Sequence, residues 1–165
     1  MGQQQAQDIE NIIEHWRRLR GERACPGELA DNALSATILL APDGDNVFRV
    51  MALGARAQHW SGLGFGAAFL SIVAPEHRAQ MMRRLAGAAL RHAPSLTRAR
   101  GRASPDADLD IVLLPLRSSG KSGRDRAAMV LVGLAPSASV DAPCRDLMLE
   151  RSSPLPGFAL PVIAP

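Results

Sequence analysis

At 165 residues the chain has the length of one ordinary domain, and two domains would each be cramped. Hydrophobic residues make up 47% and aromatics only 4%, with no tyrosine, so Leu, Val, Ile, Ala and Met must fill the core and few rings are left for stacking on bases. The net charge of +3 is small and dispersed, which disfavours nucleic acid, and the two cysteines, Cys25 and Cys144, lie far apart and form no C-x-x-C pair, which argues against a disulfide framework and a thiol-ligated metal.

The opening stretch from Met1 to Gln7 has neither a basic nor an apolar region of an export signal, and Gly2 with Ala6 misses the myristoylation pattern. No run approaches the length of a membrane span, so the cytoplasm is the expected compartment and no membrane contact is expected. The first element is a helix from about Asp8 to Arg20. Ile9, Ile12, Ile13, Trp16 and Leu19 recur at helical spacing, Asp8 is its expected cap, Glu14 can pair with Arg18, and Gly21 offers a left-handed stop. Cys25-Pro26-Gly27 breaks the pattern, and a short helical turn around residues 28–33 is expected after it.

From Thr37 the period becomes two. Thr37 to Ala41 reads as a strand, Pro42 to Asp45 as a turn and Val47 to Leu53 as the partner strand of a hairpin. A Gly- and Ala-rich stretch from Gly54 to Gly66 holds a short helical piece at Arg56 to Trp60. Pro75 suits the first turn of a helix that continues from Glu76 to Arg91 with Met81, Met82, Leu85, Ala88 and Ala89 on one side. Three strands follow at Leu96 to Arg102, Leu109 to Leu116 and Ala127 to Leu134. Beyond Pro136 the composition turns to Pro, Ser and Ala, which reads as an extended, weakly ordered tail with a helical turn available at Arg145 to Arg151. The expected organisation is a helix and linker over residues 1–34, a domain over 35–136 and a Pro-rich tail over 137–165. Strands that come in blocks joined by short links predict an α+β fold: an antiparallel sheet with helices on one face, preceded by the N-terminal amphipathic helix.

Several residues carry a family resemblance. Trp16-Arg17-Arg18-Leu19-Arg20 leads to Pro26, Phe48-Arg49 to Gly54, and Leu114-Pro115-Leu116 to a glycine loop at Gly120 to Gly123, Arg124-Asp125 and the apolar run Met129 to Leu134. In this order and spacing, from about Asp8 to Pro136, the chain resembles the PAS-like domain family found widely in alphaproteobacteria. It departs from that pattern in the charge-poor segment from Gly62 to Ala68. The resemblance implies a five-stranded antiparallel sheet whose inner face and helices enclose a small cavity, with a preceding helix that often mediates dimers. It implies a sensory or regulatory module that binds a small ligand or a signalling protein, or a docking adaptor whose core is filled by its own side chains. Phe48, Val50, Trp60, Phe69, Leu113 and Met129 are the expected pocket lining. Ile9, Ile12, Ile13, Trp16 and Leu19 are the expected homodimer interface, with burial on the chain's own sheet as the other use of the same stripe.

Other motifs are better explained by packing. Gly62-x-Gly64-x-x-Ala67 has dinucleotide-loop spacing, but no buried strand precedes it, and Gly120-Lys121-Ser122 lacks the first glycine of a phosphate loop. His15, His59, His77 and His92 form no i, i+4 pair, so no metal or haem is expected, and no reactive cysteine lies between Cys25 and Cys144 to hold a flavin. No nucleophile elbow or paired carboxylate in an apolar setting suggests an enzyme, and no cofactor is expected. Asp106, Asp108 and Asp110 alternate as a solvated strand edge would. Arg98, Arg100 and Arg102 should share one strand face, the strongest electrostatic feature of the chain.

Overall fold

The structure, a computed structural model, describes residues 3–21, 34–45, 47–102, 104–117, 128–137 and 143–155. The expected turn at 28–33, the glycine loop at 120–123 and the side chains of Arg18 and Leu19 lie outside the described residues.

The first helix, α1 (Gln3–Gly21), starts five residues before the expected cap. Gln and Ala are good helix formers, and the amide side chains of Gln4 and Gln7 donate one turn ahead to Asp8 (3.0 Å) and Asn11 (3.1 Å). Asp8 is therefore an interior residue and not a cap. A hairpin follows, β1 (Thr37–Pro42) and β2 (Phe48–Leu53), where the period-two pattern predicts it. Asp43 builds its turn: one carboxylate oxygen accepts from the backbone N–H of both Asp45 and Val47 at 3.0 Å, and the other meets Arg49 Nε at 2.5 Å. A bulge opposite Leu39 and Leu40 turns Met51 out to solvent.

Helix α2 (Ala55–Ser61) ends at Gly62, whose φ of 64° is the left-handed conformation of a helix stop. Two short 3₁₀ turns, Phe69–Ile72 and Pro75–His77, lead into α3 (Arg78–Arg91), and His92 takes the left-handed capping position with φ 51°. Strands β3 (Ser95–Gly101), β4 (Ser104–Arg117), β5 (Ala128–Pro136) and β6 (Leu147–Pro154) follow.

The six strands of the described residues form one antiparallel sheet in the order β2-β1-β5-β4-β3-β6, so the fold is α+β, with one strand more among these residues than the five expected. The extra strand lies in the segment read as a weakly ordered tail. It pairs along the whole of β3, from Ser95 opposite Pro154 to Gly101 opposite Leu147, because Leu147 and Leu149 alternate into the core.

Alternation assigns the two faces. Gly133, Val112, Leu131 and Leu114 share one; Val132, Leu113, Leu134 and Ile111 share the other. Helix α1 covers the first face, close enough that a Cβ on Gly133 would lie 3.0 Å from Ile12 and 2.6 Å from Val112. Helix α3 covers the second, where Arg84 Nη1 donates to Thr97 Oγ1 at 2.9 Å and Thr97 pairs with Ile111. Helices thus occupy both faces of the sheet, and the central strands β4 and β5 are sandwiched between α1 and α3. No helix among the described residues is long and apolar enough to cross a membrane.

Candidate functional site

Five of the six expected pocket residues lie on the α3 side. Phe48 and Val50 point inward from β2, Leu113 from β4, Trp60 comes from α2 and Phe69 from the first 3₁₀ turn, and all five are buried in one apolar cluster. Met129 is buried too, but it pairs with Leu116 in register with Leu114 and Leu131, which puts it on the α1 face. The sheet itself separates it from the others, so it is not part of this lining. Gly54 fixes the approach of α2: a Cβ there would fall 2.3 Å from the carbonyl oxygen of Ser35, and its N–H donates to Thr37 O at 2.9 Å.

The stripe expected to hold a second copy is instead buried within the chain. Ile9, Ile12 and Trp16 are buried against β4 and β5, and Ile13 packs partly against the same core. Trp16 has no exposed surface, and its Nε1 donates to the carbonyl of Pro115 at 2.8 Å. At the other end of the helix Gln5 Nε2 donates to the carbonyl of Ala135 at 3.0 Å. An interior apolar stripe with a hydrogen bond at each end is a docked helix, not a free interface.

One chain of contacts joins α1 to the aromatic end of the α3-side layer. The Arg56 guanidinium lies 4.6 Å from the ring centroid of Trp60, and its Nη2 meets the Asp8 carboxylate at 2.9 Å. Asp8 is on α1 and Arg56 on α2, so this pair spans the sheet's end. The main chain at Trp60 is tied as well, its carbonyl accepting from Cys144 N–H at 2.6 Å. Burial raises the pKa of the Cys144 thiol, so the sulfur is held in its unreactive form.

The arginine strand and the aspartate strand find each other in register. Arg98 stands opposite Asp110 and binds it with two hydrogen bonds, of 2.9 and 3.2 Å; Asp110 is only 6% exposed, not a solvated edge residue. This hydrogen bond raises the Arg98 pKa. Arg100 meets Asp108 at 3.0 Å and Glu150 of β6 at 3.3 Å. A bulge between Arg100 and Gly101 turns the strand over, so Arg102 leaves that face and pairs with Glu76 before α3. Carboxylates neutralise all three arginines, and the basic stripe is an internal ion-pair ladder across β4, β3 and β6. The side chain of Asp106 lies outside the described residues.

The histidines hold no metal cluster among the described residues. The glycine segment starts at Gly62, where a Cβ would lie 3.1 Å from Pro143, and reaches the outer edge of β2 at its end, with Gly66 N–H on Val50 O and Val50 N–H on Ala67 O, before a four-residue turn. Sequence reasoning missed the link from Asp8 to Arg56, because a separation of 48 residues leaves no periodic signal. No family model, curated protein or solved structure matches the chain.

Proposed function

We propose that this chain is a PAS-like regulatory module: the layer beneath α2 and α3 receives a small ligand or a segment of a signalling protein, and α1, on the opposite face, carries the change outward. The order of elements supports the reading, with a helix, a hairpin, short helices, a longer helix and then consecutive strands. The observation that carries it is the contact chain Trp60–Arg56–Asp8, which joins the expected receiving layer to the expected output helix. A module of this kind needs no chemistry of its own, only two arrangements of α1 whose balance a ligand can bias.

A second reading is a protein-docking adaptor with a self-filled core and no small ligand. The burial of Phe48, Val50, Trp60, Phe69 and Leu113 within one apolar cluster favours it.

Arg56→Gln breaks the link while leaving both apolar layers intact. Hydrogen exchange should then quicken in Gln3–Gly21 and around Trp60 together; quickening in α2 alone would refute transmission to α1. Native mass spectrometry of the purified chain separates the two readings, since a sensor carries a molecule and an adaptor has the bare mass. The same spectrum reads the oligomeric state. A homodimer has to use a surface other than Ile9, Ile12 and Trp16, which pack on the chain's own sheet.

A further inference from the structure

The seam between α3 and β3 gathers a guanidinium and several hydroxyls, with no carboxylate among the described residues to meet the guanidinium. Arg84 reaches from the middle of α3 to β3, where its Nη1 donates to Thr97 Oγ1 at 2.9 Å. Arg49, Arg56, Arg98, Arg100 and Arg102 each meet a carboxylate, whereas among the described residues no carboxylate meets Arg84. Burial and then the neighbouring Arg83 lower the Arg84 pKa, and no acid opposes them. A guanidinium has five N–H donors and no acceptor, so most of its capacity remains after Thr97.

The strand beneath adds hydroxyls. Thr97 is fully buried and, because it accepts from Arg84, keeps its own proton to donate. Ser95 lies two residues earlier on the same face, about 7 Å away by strand rise, and its buried Oγ has no partner. Ser152 stands directly opposite Thr97 on β6, within about 5 Å by cross-strand spacing, and is an exposed residue. A buried hydroxyl without a partner requires an explanation, and a cluster of donors beside an unpaired guanidinium is suited to negative charge.

We infer that Arg84, Thr97, Ser95 and Ser152 form a seat for a small oxyanion, the carboxylate or phosphate end of a small molecule. The seat stands on the α3–β3 seam alone, so it survives if the link to α1 fails and can fail while that link holds.

The test titrates the full chain with inorganic phosphate and, separately, with acetate, at ionic strength held constant by sodium chloride, following backbone amides by NMR. Saturable shifts at Ser95 and Thr97 are expected with one or both anions, and the tighter of the two identifies the headgroup. Arg84→Gln should weaken binding at least about ten-fold, as loss of a charged hydrogen bond does, while Arg83→Gln, which removes the same charge from an exposed neighbour, should leave it within about two-fold. Ser95→Ala is the second variant. It should weaken anion binding yet leave stability unchanged or higher in anion-free buffer, because it removes an unpartnered hydroxyl, a trade that a packing role does not produce. No saturable shift with either anion, or equal weakening by Arg83→Gln and Arg84→Gln, would overturn the assignment.

Discussion

Trp16 joins two terms that usually act apart. Its ring is buried with no exposed surface on β4 and β5, and its indole N–H is the partner of the Pro115 carbonyl. Trp16→Phe should keep most of the packing but leave that carbonyl without its donor, at a loss of about 1–3 kcal/mol. Trp16→Ala should cost about 3–5 kcal/mol through the cavity it opens. Urea unfolding of both variants checks the order: equal losses would mean that the hydrogen bond contributes nothing. Gly133 tests the same contact from the sheet. Ile12 and Val112 occupy the space a Cβ would need, so Gly133→Ala should lower stability by about 1–3 kcal/mol through overpacking, whereas an ordinary strand glycine gains from the change. A more stable Gly133→Ala variant would mean that α1 does not sit this close to the sheet.

At the scale of elements, the hairpin from β1 to β2 depends on one carboxylate. Hydrogen bonding from Arg49, and then from the backbone of Val47 and Asp45, holds the Asp43 pKa below its ordinary 3.8 against some desolvation. A depressed carboxylate stabilises the fold above its unfolded pKa and loses that contribution as pH falls through its folded one. The turn should therefore hold at pH 5 and loosen only below about 3.8, with Asp43→Asn abolishing the acid step; NMR titration of the Val47 amide reads it directly. Strand β6 provides a second element-scale test. Leu147 is fully buried, so Leu147→Ala should cost about 2–5 kcal/mol, and a neutral result would return the segment to a loose tail.

These two elements also mark what the sequence made legible. The hairpin could be read because apolar alternation and a Pro-Asp-Gly-Asp turn agree over the same residues. Helices α1 and α3 could be read because their apolar stripes recur with the helical period. Strand β6 could not: only Leu147 and Leu149 alternate before Glu150, Arg151, Ser152 and Ser153, and an edge strand takes its register from a neighbour, here β3, that lies far off in sequence. The same reason hid the ion-pair ladder. Each arginine and each aspartate was visible alone, but their pairing depends on the β3–β4 register. For the expected pocket, side-chain type was enough to place five residues in the core, while Met129 went astray because the phase of β5 was not known. The choice between own sheet and second copy for α1 rested on areas too similar to separate by pattern.

Taken whole, the molecule stacks two helical layers on a shared pair of strands. Displacing β4 or β5 toward either layer disturbs the other, since their side chains alternate between α1 and α3 and the interior is close-packed. The two tryptophans sit one on each side of this arrangement, Trp16 beneath α1 and Trp60 beside the aromatic end of the other layer. They therefore report separately on the two layers. A variant with Trp60→Phe leaves Trp16 as the only indole, and one with Trp16→Phe leaves Trp60. Each variant's fluorescence midpoint in urea should coincide with its own far-UV circular dichroism midpoint, because strands common to both layers allow neither to melt alone. If Trp16 fluorescence changed well before the circular dichroism, α1 would be a separately detachable cover with little coupling to β4 and β5. Coincidence in both variants, together with faster exchange in α1 after Arg56→Gln, would mean that the two layers unfold as one body and yet communicate locally through Asp8, as the proposed regulatory role requires.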